Sequence, residues 1–317
     1  GFPRQIKHLY GGSAWFSLTR ACTEAVVQYT HKHRALLRRF RFTFVPDEMF
    51  IQTVVRNLDM PNIQIANSIY RFIHWEKSGD YHPANLDEAL FFEVSSSHAF
   101  FARKYEYPSC KRLMDLTDQY LIANEALSCS ETGAWTTRTF VGHTYDPGLS
   151  KGIALFCKVC KIGDVIDLGC GPGWYVEALR RMRIAAVGYD GNPNTEDFSR
   201  LLSKKAVCKP ADLTDDLIPE EPFGMTLFLS VGEYIPKKYE GKLWENLVRS
   251  TNRYLVVAWG EQLSPGVVNP HAEDEVVERA SCLGLVKDEL ATYMLREYSS
   301  LAKHKRCLVV FVKSINR

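Results

Sequence analysis

The second half of the sequence predicts an α/β fold: a mostly parallel sheet with helices on both faces, preceded by a first half of different character. Three observations carry this. From Lys151 onward short apolar runs alternate with helical patterns, the rhythm of strand–helix–strand units. The run VIDLGCGPGWYVEAL (165–179) takes an apolar strand through three glycines directly into a helix. Before Leu127 the apolar residues recur at helical spacing and strand-like runs are few.

Taken in order, Thr19 to Phe40 reads as one amphipathic helix with Ala25, Val26, Tyr29, Leu36 and Leu37 on its apolar stripe. It ends among Arg34, Arg38, Arg39 and Arg41, cations that suit a helix C-terminus or a phosphate. A second helix is expected from Pro46 and Asp47, through PDEMFIQTVVRNL. A third is expected over Ser109–Leu127. The Ser-, Thr- and Gly-rich segment 128–150 reads as a connection and lead-in. The expected division is therefore 1–127, 128–150 and 151–317. In the last part LSKGIALFCKVC reads as a helix. Strands are expected at 164–169, 185–190, 205–210, 224–230, 253–259 and 307–313, with helices at 174–183, 195–203, 237–250 and 272–283.

A length of 317 residues suits two domains, and 46% hydrophobic with 24% charged residues excludes a disordered chain. A net charge of +2 excludes a globally basic nucleic-acid binder, and no NPPY-like run follows the fourth strand, so nucleic acid is not the expected partner. No apolar run approaches the roughly 18 residues of a membrane span. Of nine cysteines only Cys157 and Cys160 form a CxxC pair; no second pair completes a zinc site, so no metal is expected. The lack of an N-x-S/T sequon leads to the expectation of a cytoplasmic chain. The opening GFPRQIKHLYGG reads like the middle of a domain, so a fragment is expected.

The glycine loop is the strongest functional signal. Gly169, Gly171 and Gly173 let backbone approach a ligand at a helix N-terminus. A dinucleotide loop, G-x-G-x-x-G, wants a glycine where Trp174 stands. G-x-G-x-G preceded by Asp167 resembles instead motif I of the class I S-adenosylmethionine-dependent methyltransferases. That resemblance implies a Rossmann-like fold and S-adenosylmethionine as cofactor. It places Asp167 and the three glycines at the cofactor, Asp190 on the ribose hydroxyls, Asp212 at the adenine amino group, and Ser230 and Glu233 beside the methyl group.

GHTYDPGLS, DLGCGPG, GYDGNPNT, SVGEYIP followed by ENLVR, LVVAWGEQ and ATYMLRE together resemble a methyltransferase group found fused to glycosyltransferases and attributed to glycan O-methylation. Where that group has GEHIP this chain has Tyr234, and where it has GHVN this chain has Val267. A sugar hydroxyl needs a base at neutral pH. Glu233 is the first candidate, or else a partner of the cofactor's amino group; His143 and His271 are the alternatives.

In the first half GGSAWFSLTRAC, VPDEMFIQTVVRN, YRFIHW, GDYHPANL and HAFFARKYE, in that order, resemble the C-terminal half of the core-2/I-branching glycosyltransferases, which include xylosyltransferase-type enzymes. The resemblance implies part of a GT-A-type core, an inverting reaction, a UDP-sugar donor and no metal. By position it makes Glu48 the catalytic base and puts Arg71 and Lys104 on the leaving diphosphate, with Arg103 able to share that task. The family's uridine-binding half lies upstream of GGSAW, so half a fold is expected. The whole reads as a bifunctional glycan-modifying enzyme with a glycan or glycoside acceptor. A methyltransferase for a small molecule or protein, and a cofactor-binding pseudoenzyme, are the alternative readings.

Overall fold

The computed structural model describes residues 6–58, 64–77, 82–122, 128–216, 219, 221–262 and 266–313. The chain forms two compact units, one from 1–87 with 97–110, the other from 88–96 with 111–317. The expected boundary after residue 127 runs inside the second unit.

The first unit holds α1 (Arg20–Lys32), α2 (Arg34–Phe40) and α3 (Phe50–Asn57). Thr19 caps α1 by accepting a hydrogen bond from the Cys22 amide. The single helix expected over 19–40 is broken at His33, whose φ of −116° and ψ of 54° leave the helical region. The break turns Leu36 and Phe40 of α2 onto Cys22 and Val26 of α1 and Val54 of α3, one small apolar core. The helix expected from Pro46 begins as a 3-10 turn, Pro46–Glu48, and α3 starts only after Met49. Two short strands, β1 (Arg71–Ile73) and β2 (Phe101–Arg103), pair in parallel. Part of the GDYHPANL motif, residues 79–81, lies outside the described residues.

The second unit opens with α4 (Phe91–Ser95) and α5 (Lys111–Thr117), which runs into a π turn at Asp118–Ile122. The rest of the helix expected to 127 lies outside the described residues. Then follow α6 (Pro147–Cys160), β3 (Asp164–Leu168), α7 (Trp174–Arg181), β4 (Ala185–Asp190), α8 (Thr195–Ser203), β5 (Cys208–Pro210), β6 (Phe223–Leu229), α9 (Glu240–Ser250), β7 (Thr251–Ala258), α10 (Glu273–Cys282), β8 (Leu285–Lys287), α11 (Glu289–Tyr298), α12 (Ala302–Cys307) and β9 (Leu308–Lys313).

The seven strands lie in the order β5-β4-β3-β6-β7-β9-β8, with β5 to β7 parallel and β9 antiparallel to both its neighbours. This is the mostly parallel, Rossmann-like sheet expected. Chain order runs outward from β3 through β4 to β5 on one side and from β6 to β7 on the other, so the sheet reverses between β3 and β6. That switch point opens a crevice at the carboxyl ends of the strands. The central strands are buried along nearly their whole length, which is why they read as continuous apolar runs. One face packs Ile166, Phe228, Leu255 and Phe311 against Leu243, Trp244 and Leu247 of α9. Trp244 and Trp259 stack there at 6.0 Å.

Candidate active site

The loop after β3 sits at that switch point. Gly169, Gly171 and Gly173 have φ of +83°, +52° and +90°. At Gly171 the requirement is also steric, because a Cβ would stand 2.7 Å from Nδ1 of His143. Trp174 then begins α7, buried, its indole N–H donating to Ser95 Oγ at 3.2 Å. Its ring packs on Phe140 and Tyr145 and also reaches the cavity at the strand tips.

The strand tips bring the expected acids together around a cavity of about 200 Å³. Asp167, Asp190, Asp212, Ser230, His143 and the loop glycines Gly169 and Gly171 all line it. Asp190 closes the second strand's end: Oδ2 accepts from the Gly171 amide and Oδ1 from the Asn192 amide, each at 2.8 Å. Burial raises its pKa against those two bonds. Asp167 is 2% exposed, and burial, helped by Asp190 nearby, pushes its pKa up to about 8. Asp212 Oδ1 accepts from the amide and hydroxyl of Thr214, at 2.9 and 2.7 Å. Burial works against the Asp212 carboxylate, but Thr214 and the Thr132 hydroxyl outweigh it and hold its pKa below the ordinary value. Asp212 thus closes a turn and still faces the cavity.

Three of the lining residues each carry a buried polar atom with no hydrogen-bond partner among the described residues: Asp167 Oδ2, His143 Nε2 and Ser230 Oγ. Ser230 also holds a φ of +59°, a strained value for a side-chain-bearing residue. Buried polar atoms left unpaired cost stability, and their convergence on one cavity marks it as built for a polar ligand. Burial holds the pKa of His143 at about 4, so its ring is neutral at pH 7.

Glu233 stands elsewhere. It is 1% exposed and behind the cavity wall, its Oε1 accepting from Lys303 Nζ at 2.7 Å. Lys303 is the residue of that pair that lines the cavity. Tyr234, next in sequence, also lines it. His271 is held by Glu240 at 3.0 Å and Glu275 at 3.3 Å, with its ring against Trp259, away from the cavity. Sequence reasoning missed Lys303 and Trp135. Neither lies in a motif; Lys303 meets Glu233 across 70 residues of chain. Cys157 and Cys160 are free thiols on α6, Cys157 buried with its pKa pushed up to about 12 by burial and then by Cys160.

In the first unit Glu48 is exposed on its 3-10 turn. Its carbonyl accepts from the Gly12 amide at 2.8 Å, and Gln52 Nε2 donates to the Ser13 carbonyl at 2.6 Å. The GGSAW run is thereby fastened to the segment that carries Glu48. Parallel pairing sets Arg71 and Arg103 two register positions apart on β1 and β2. Both guanidinium groups lie on Trp15, at 5.2 and 4.8 Å from its ring centre. Lys104 is exposed beside them in sequence, so Arg103 rather than Lys104 joins Arg71 at this aromatic face.

Residues 2–95 match the Core-2/I-Branching enzyme family. Xylosyltransferase 2 of Rattus norvegicus is 28% identical over 130 residues, 35% of this chain and 15% of that protein. Xylosyltransferase 2 of Homo sapiens is 26% identical over 159 residues, 44% of this chain and 18% of that protein. The chain therefore spans less than a fifth of the length of these relatives. Among solved structures, a TehB-like SAM-dependent methyltransferase from Corynebacterium glutamicum covers 53% of this chain and 88% of its own, at 20% identity and a TM-score of 0.42. The magnesium protoporphyrin IX methyltransferase of Synechocystis PCC 6803, with bound SAH, covers 52% and 81%, at 15% identity and a TM-score of 0.39. The chain thus joins a segment similar to the Core-2/I-Branching enzymes to a Rossmann-like α/β domain.

Proposed function

We propose that the second unit is an S-adenosylmethionine-dependent O-methyltransferase acting on a sugar hydroxyl, carried on one chain with a glycosyltransferase segment that uses a UDP-sugar. The observation that carries the reading is the cavity at the switch point. It joins the glycine loop to Asp190, and three of its lining residues, Asp167, His143 and Ser230, each hold a buried polar atom without a partner among the described residues.

S-adenosylmethionine, when bound, supplies a methyl group on a cationic sulfonium. Asp190, its rotamer fixed by the Gly171 amide, would accept hydrogen bonds from the two ribose hydroxyls. Asp167 would hold the cofactor's amino group and Asp212 the adenine. His143, whose ring lies against the glycine loop, would take the proton that the acceptor hydroxyl gives up as its oxygen is methylated. Burial keeps the His143 ring neutral at pH 7 and lowers its basicity, so ligand binding would have to raise its proton affinity for this role. Glu233 would act through Lys303, whose ammonium it holds at the cavity wall. Correct placement of the two reactants supplies much of the rate. In the first unit Glu48 is the base for sugar transfer. Arg71, Arg103 and Lys104 balance the departing diphosphate.

The test is incubation of the chain with methyl-labelled S-adenosylmethionine and a panel of glycosides. A labelled O-methyl glycoside is expected, with the product lost in Asp190→Ala. Cofactor binding without label on any glycoside would replace the reading with a non-catalytic cofactor-binding module.

A further inference from the structure

The segment just after residue 127 is a tight hairpin. The amide of Ala134's neighbour Gly133 donates to the Ser130 carbonyl at 3.1 Å, and Ser130 donates back to Ala134 at 2.7 Å. Thr136 donates to Ser128 at 2.9 Å, and Cys129 pairs with Trp135 in an antiparallel bridge. Four successive residues then reach four different pieces of the cavity rim. The Thr132 hydroxyl bonds Asp212 beyond β5. Gly133 lies on the Tyr234 carbonyl beyond β6, so closely that a Cβ would stand 2.2 Å from its oxygen. Ala134 meets Gly191 beyond β4, where a glycine Cβ would stand 2.3 Å from the alanine Cβ. Trp135 packs on His143, at 4.9 Å between ring centres, and on Tyr234 at 5.2 Å. His143 in turn lies on Gly171 beyond β3. All four hairpin residues line the cavity.

We propose that Thr132–Trp135 is a ligand-binding element of the site: it clasps the bound nucleoside across the four strand tips, and the ligand exchanges only when the hairpin lifts. This rests on the cofactor reading above and adds to it the element that governs residence. The hairpin belongs to no strand or helix of the sheet, and beyond its own turn it is held by these rim contacts and by the Asn192 and Asn194 side chains on the Thr137 carbonyl. Its contacts to Asp212, Tyr234 and His143 are polar or aromatic edges rather than core, the class of contact that opens locally at low cost. A bound adenine nucleoside adds apolar area under Trp135 and ties the rim together. Changes to the clasp should then appear chiefly in the dissociation rate.

The experiment is stopped-flow dissociation of S-adenosylhomocysteine from the 317-residue chain, with hydrogen exchange of the same samples. Trp135→Ala and Gly133→Ala are expected to raise the dissociation rate by about tenfold or more, and Trp135→Phe to restore it to within about threefold. Amides of 130–136 should gain protection when S-adenosylhomocysteine binds. Thr132→Val, which removes one hydroxyl and leaves the turn glycine and the tryptophan in place, keeps the test open should either larger change unfold the chain; it too should speed release. Dissociation rates within about twofold of the unaltered chain in all folded variants, with no added protection, would overturn the clasp while leaving cofactor binding intact. Failure of the unaltered chain to bind S-adenosylhomocysteine at all would instead overturn the cofactor reading.

Discussion

Asp167 sets the electrostatics of the cavity. Its carboxyl is buried, unpartnered on Oδ2, and protonated up to about pH 8 because burial and the nearby Asp190 both disfavour its charge. A group whose folded pKa is raised above its unfolded value stabilises the fold fully only below the unfolded value, about 3.9. That contribution is lost as pH rises toward 8. A cationic ligand reverses the preference, since it favours the carboxylate. The affinity for S-adenosylmethionine should therefore rise with pH between about 6 and 8 and level off above, with release of one proton on binding at the lower end. Calorimetry in buffers of different ionisation enthalpy measures that proton directly. Asp167→Asn should bind more weakly and show no such dependence. A flat profile in the unaltered chain would mean that the carboxyl is already ionised in the empty cavity.

At the scale of elements, α6 and α12 are joined through one side chain. Asp146 caps α6 by accepting from the Leu149 amide at 2.9 Å, with Pro147 at the first helical position. The same fully buried carboxylate accepts from Ser299, Ser300, the Leu301 amide and His304 Nδ1, the last at 3.1 Å. It thereby ties the segment that delivers His143 and Thr144 to the one that delivers Lys303. Burial works against the charge, but the bonds from His304, Leu149, Ser299 and Ser300 outweigh it and hold the carboxyl well below the usual range. A depressed pKa stabilises the fold fully above the unfolded value and loses that contribution progressively as pH falls from there through the folded value. Asp146→Ala removes the cap and strands His304 in the core. It should cost about 3–5 kcal/mol in denaturant unfolding at pH 7. The gap to the unaltered chain should narrow below about pH 4, where the carboxyl of the unfolded chain takes up a proton while the native one is still ionised. An Asp146→Ala protein as stable as the unaltered chain at pH 7 would remove this coupling from the account.

Over the whole molecule, what the sequence made legible follows from burial and period. The central strands are sealed on both faces and spell continuous apolar runs, so five of the six expected strands lie within two residues of their observed bounds. β5 is shorter than expected because only Cys208–Pro210 pair with β4. β8 is three residues long and α12, AKHKRC, has no apolar stripe, so neither carries a periodic signal, and the antiparallel edge they complete was illegible. The glycine loop and its acids were legible because each ends a strand; Trp135 and Lys303 were not, because long-range packing alone brings them to the cavity. The same holds for 88–96. It lies in the first half of the sequence but packs with the second unit, where Trp174 donates to Ser95 and Arg181 pairs with Glu93 at 2.5 Å. This division has a thermodynamic consequence. A ligand that binds only the second unit stabilises that unit by linkage, about 2.7 kcal/mol at a hundredfold excess over Kd. Hydrogen exchange with S-adenosylhomocysteine should therefore slow along α4, α6, β3 and β6 together, and leave α1 and α3 unchanged. If 88–96 follows α1 rather than β3, that segment belongs with the first unit. If α1 and α3 slow as much as β3, the two units unfold as one.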